Sequence, residues 1–229
     1  MLKARKRITK KEIKHDPFLE SIYQTKEYFE KNVKTITRAG IGLVAVLIVV
    51  FILNKNLNAE RNASEAALGK AIVNLGIGDR DNGLLQLELL IDDYSGSDAA
   101  QRGSFMLARL FYEQKDFLTA ESYLLDFLDD PTKEFHTGAL MMMAELEKIN
   151  GNTSSEEDYL KEAIKNASSD SEKDKFSLVL AEHFMRSGNY VDARELSESI
   201  YNKYDKNSNL YNKSEEILGH LHTFSSDEQ

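Results

Sequence analysis

Fifteen consecutive residues without a charge or a polar side chain, Ala39 to Leu53 (AGIGLVAVLIVVFIL), constrain this chain more than any other feature of its 229 residues. As a helix the run rises about 22 Å, short of the roughly 30 Å hydrocarbon core of a bilayer. Extended from Ile36 to Leu57 it becomes long enough to span, with Arg38 and Lys55 carrying their charges outward on aliphatic stems. Three readings compete. A buried core helix is possible, but apolar residues all round suit a membrane better than the interior of an acidic globule. A cleaved signal peptide would need a short basic lead, and here 38 residues precede the run; Leu57-Asn58-Ala59 is also a poor cleavage site. An uncleaved signal anchor fits best.

Charge orients that anchor. The formal net charge of −9 is an average over two unlike parts. Residues 1–38 hold eleven bases (Lys3, Arg5, Lys6, Arg7, Lys10, Lys11, Lys14, Lys26, Lys31, Lys34 and Arg38) against five acids, a net of +6. The remainder holds 18 bases against 33 acids, a net of −15. Basic residues stay on the cytoplasmic side of a span, so the N-terminus is expected inside and the acidic body outside, in the periplasm of a Gram-negative cell. The absence of cysteine excludes a disulfide scaffold, a thiolate metal site and a cysteine nucleophile, and is compatible with an oxidising compartment. The negative total argues against nucleic-acid binding.

Residues 1–15 are basic and poor in apolar side chains, and read as a disordered cytoplasmic arm. Asp16-Pro17 is a helix start. Phe18, Ile22, Phe29, Val33 and Ile36 then recur at helical spacing, predicting an amphipathic helix over 16–35 that runs into the span over 36–57. That helix reads equally as a face for anionic lipid or a membrane partner, and as a plain extension of the anchor.

Beyond Asn62 the apolar residues recur at three and four, so the fold class is all-α. The segment is also repetitive. Leu107-Ala108, Phe111, Lys115-Asp116, Phe117, Ala120 and Leu124 superpose on Leu180-Ala181, Phe184, Gly188-Asn189, Tyr190, Ala193 and Ser197. Weaker copies are marked by Ala144 with Gly151-Asn152, and by Ala71 with Gly78-Asp79. Gly78, Lys115, Gly151 and Gly188 are separated by steps of 37, 36 and 37. The pattern resembles the tetratricopeptide repeat, a helical hairpin with small residues where its helices approach closest. The resemblance covers about 62–206, without the family's usual tryptophan and with few of its prolines. It implies a solenoid of about four hairpins, closed by a capping helix over 207–222 and a tail over 223–229.

No constellation for catalysis is present: no phosphate loop, no nucleophile elbow and no metal signature. His220 and His222 are two apart and point to different sides of a helix. The adjacent acids Asp92-Asp93, Asp129-Asp130, Glu156-Glu157-Asp158 and Glu215-Glu216 read as solvated charge. No enzyme activity, cofactor or metal is expected. Binding remains. A stacked superhelix exposes a concave face lined by the first helix of each hairpin, and the repeat register places Phe105, Arg109, Tyr112, Met141, Glu145, Lys148, Leu178, Glu182 and Met185 there. The set mixes aromatic rings, methionine and both signs of charge, which suits adaptable peptide contact. Each apolar member of it is also an ordinary core candidate.

A basic arm, one N-terminal span and an acidic exported repeat domain together resemble the YfgM-type ancillary subunits of the Sec translocon. That resemblance implies a non-enzymatic, membrane-anchored scaffold. Its partners would be the SecYEG channel, a periplasmic prolyl-isomerase-type chaperone and exported polypeptides. A cell-envelope organiser acting in division or outer-membrane assembly, or an anchored regulator, would share the architecture.

Overall fold

A computed structural model describes residues 17–226, with side chains from 21 to 223; the arm over 1–15 and the side chain of Phe18 lie outside them. The described residues are helical throughout apart from short turns. The elements are α1 (Pro17–Gly76), α2 (Arg80–Asp93), α3 (Asp98–Glu113), α4 (Phe117–Asp129), α5 (His136–Asn150), α6 (Thr153–Asn166), α7 (Asp170–Arg186), α8 (Tyr190–Tyr201) and α9 (Asn209–Ser226). The chain divides into two units, Met1–Ala59 and Glu60–Gln229.

The first unit is the N-terminal part of α1. It holds a stretch long and apolar enough to cross a membrane, with a mean hydropathy of 2.6 and none of that stretch buried. Ile41, Leu43, Val44 and Phe51 are among the side chains left bare. The helix is unbroken from the segment read as amphipathic into the apolar run, because Pro17 stands at its first turn and no other proline follows until Pro131.

The second unit is a stack of four hairpins, α1's C-terminal segment with α2, α3 with α4, α5 with α6, and α7 with α8, closed by α9. Helices from α2 onward pack on their neighbours in sequence, and α9 also reaches α7. The core is accordingly a series of clusters. Leu68, Ala71, Leu87, Leu90 and Leu107 make the first, Ala108, Leu124, Phe127, Met143 and Leu146 another, and Leu160, Leu180, Phe184, Ile200, Ile217 and Leu221 the last.

Each hairpin turns through the same backbone device. Gly78, Lys115, Gly151 and Gly188 have φ of 84°, 64°, 77° and 82°. Each is followed by an Asx residue, Asp79, Asp116, Asn152 or Asn189, with φ between −81° and −85° and ψ between 70° and 75°. The Asx amides donate to Asn74, Phe111, Glu147 and Phe184 carbonyls at 2.8–3.0 Å. This six-to-one bond closes the outgoing helix in a Schellman motif. The same Asx residue then caps the incoming helix: Asp79, Asp116 and Asn189 accept from the Asn82, Thr119 and Asp192 amides. One residue therefore ends one helix and starts the next, which is why the turns are so short.

Between the turns, small residues set how closely helices approach. Ala71, Ala108, Ala144 and Ala181 are buried at 3% exposure or less, and so are Ala120 and Ala193. At Gly83, the equivalent of Ala120 in the first hairpin, a Cβ would stand 2.5 Å from the Leu75 side chain. The equivalent position in the third hairpin is Glu156.

Candidate protein-binding face and a buried polar junction

The face expected from α3, α5 and α7 is only partly a surface. Phe105 is half-buried, its ring 5.0 Å from that of Phe135 and 5.5 Å from that of Phe127. Tyr112 packs 5.5 Å from Phe117. Its phenol pKa is raised, first by burial and then by the Glu145 carboxylate, with Lys148 opposing. Met141 and Met185 are half-buried against the last core cluster. Leu178 does not belong to the face. It is 2% exposed and shares a core cluster with Ile217 and Leu221 of α9. A capping helix must cover apolar surface on the last hairpin, and Leu178 is part of it.

The charged members are paired within the molecule. Arg109 meets Glu113 at 3.2 Å, Lys148 meets Glu145 at 2.9 Å, and Glu182 meets Lys213 of α9 at 2.6 Å. Exposed pairs of this kind stabilise by about 0–1 kcal/mol.

On the arm side, Ile22, Phe29 and Val33 are exposed and Ile36 is half-buried. They lie along one helix at the expected spacing, and nothing among the described residues covers the first three.

Sequence reasoning missed a polar junction between α6 and α7. Of the run Glu156-Glu157-Asp158, read as solvated, Glu156 is not: it is 4% exposed. Its carboxylate lies 3.0 Å from Nδ1 of His183, which is 2% exposed, and accepts a hydrogen bond from Arg186. The other ring nitrogen of His183 faces Glu157 at 3.5 Å. Glu157 has its carboxyl pKa lowered, chiefly by the Lys161 ammonium that donates to it at 2.6 Å. The repeat register held the signal. Glu156 stands where the other hairpins have Gly83, Ala120 and Ala193, and His183 stands where they have Val73, Leu110 and Leu146. Two polar residues replace a small and an apolar one at the same junction, and they complete each other.

The junction is too enclosed to act on a substrate, and no group of three or more His, Cys, Asp or Glu among the described residues could hold a metal.

No protein-family model and no curated protein matches the chain. Solved structures do. A kinesin light chain protein of Podosopora anserina built of nearly identical TPR-like repeats is 13% identical, covering 72% of this chain and 96% of that one, with a TM-score of 0.50. The pilF protein of Pseudomonas aeruginosa is 14% identical, covering 74% and 87%, with a TM-score of 0.46. On the first of these likenesses and its own helix order, the described part of the second unit, residues 60–226, has the fold of a TPR-like α-solenoid, and the apolar stretch lies in the helix that leads into it.

Proposed function

We propose that this chain is a membrane-anchored, non-enzymatic scaffold that binds other proteins through its tetratricopeptide-like domain. The observation that carries the reading is the joining of two features in one chain: a bare apolar helix that needs a bilayer, and a repeat stack of the kind used for protein contact. The charge division of +6 before the apolar run and −15 after it supports an N-terminus in the cytoplasm and a repeat domain in the periplasm. An exported domain tethered at the inner membrane is well placed to meet polypeptides as they leave the Sec channel. On this reading the partners are SecYEG and a periplasmic prolyl-isomerase-type chaperone, and the half-buried aromatic and methionine side chains of α3, α5 and α7 supply adaptable contact.

Two measurements test this. A reporter enzyme active only after export, fused behind Gln229, should be active; activity of a cytoplasm-only reporter at that position would overturn the topology. Affinity purification of the full chain in mild detergent should recover SecY with a periplasmic isomerase. Recovery of division or outer-membrane assembly factors without SecY would replace the translocon role with an envelope-organising one.

A further inference from the structure

A second binding site lies away from the face just described and uses none of its residues. Between the end of α2, the first half of α3 and the second half of α4 is a cleft of about 420 Å³. Ile91, Ala100 and Leu125 make its apolar walls, and Gln101, Ser104, Asp126 and Asp129 its polar ones.

The two carboxylates have no cation beside them, and side-chain oxygens near them have no protein donor. Asp126 and Asp129, one helical turn apart on α4, make no ion pair among the described residues. The side-chain oxygen of Gln101 is buried and has no hydrogen-bond partner. Ser104 is 5% exposed, lines the same cleft, and makes no side-chain hydrogen bond there. Buried acceptors are almost always satisfied, because leaving one unmade costs about 1–3 kcal/mol. The base next in sequence, Arg102, is engaged elsewhere, paired with Glu65 of α1. The negative field extends past the cleft: the Tyr123 phenol has its pKa raised by burial first and then by Glu88, Asp126 and Asp92.

A cleft with apolar walls, two carboxylates and two unpartnered oxygens matches one kind of occupant. An arginine or lysine side chain has an aliphatic stem for Ile91 and Leu125 and a cationic head that only donates. We propose that this cleft binds a single cationic side chain, arginine or lysine, of a partner polypeptide. The site is independent of the Sec reading and of the face on α3, α5 and α7.

The test uses the full chain in detergent micelles with isotope-labelled amides, titrated with acetyl-Leu-Arg-Leu-amide. Its counterpart carries citrulline in place of arginine, which keeps the shape and removes the charge. The arginine peptide should shift the amide signals of Gln101, Ser104 and Asp126 and leave the α7–α8 hairpin unmoved. The Asp126→Asn/Asp129→Asn double variant, changed only at exposed positions, should bind about tenfold more weakly or worse. Glu121→Gln, on the same helix outside the cleft, should bind like the parent. Equal binding of the citrulline peptide, unchanged affinity in the double variant, shifts spread over every acidic surface, or no shifts up to the peptide's solubility limit would each overturn the proposal.

Discussion

At the scale of single residues, Glu156 is the most informative position. The first, second and last hairpins place glycine or alanine there, and the third buries a carboxylate against His183 and Arg186. A buried polar pair is weak support for stability when compared with apolar residues of matching shape, yet breaking one half of it is costly. Glu156→Ala should therefore destabilise the domain by at least about 1–3 kcal/mol, since the buried His183 Nδ1 loses its partner. Glu156→Ala combined with His183→Leu restores the alanine and leucine of the Ala120 and Leu146 positions, and should recover most of the loss. Urea denaturation of the three proteins decides the matter, and a double variant no more stable than the single one would contradict the junction described. This pair also marks a limit of sequence reading. Adjacent acids in a polar stretch look wet from composition, and only the register of the repeat places Glu156 inside. Leu178 failed in the opposite sense: its register was right for the first-helix face, but the last hairpin spends that face on α9.

At the scale of elements, the turns were the most legible feature, because their chemistry is local. A left-handed residue followed by Asx needs no distant partner, so Gly78-Asp79, Lys115-Asp116, Gly151-Asn152 and Gly188-Asn189 could be aligned from the chain alone. Lys115 is the exception that tests the rule, the one non-glycine with positive φ among the described residues, at 64°. A side chain in this region costs roughly 1–2 kcal/mol. Lys115→Gly should raise the melting temperature, and Gly188→Ala should lower it through the same strain. Thermal denaturation followed by circular dichroism measures both, and a shift of the same sign in the two variants would show that the turns do not control the hairpins as described. The helix interiors were less legible, because which side of α5 or α7 is covered depends on the helices before and after it in the stack.

At the scale of the whole molecule, the division at Ala59 and Glu60 would, on the proposed function, separate two solvents. Residues 60–229 bury their own clusters, from Leu68 and Ala71 to Ile217 and Leu221. Produced alone, they should be soluble and helical without detergent, whereas the full chain should stay with membranes through a carbonate wash. Recovery of the full chain in the aqueous fraction would contradict a bilayer role for α1. Within the stack, contact passes mainly from each helix to the next, so most junctions built on alanine and leucine are chemically alike. The α6–α7 junction is not. A hairpin borrowed from another position would bring a glycine or alanine to His183, or a leucine to Glu156, and leave a buried polar group unanswered. One mismatched pair thus numbers the hairpins, and holds a repetitive chain to a single order.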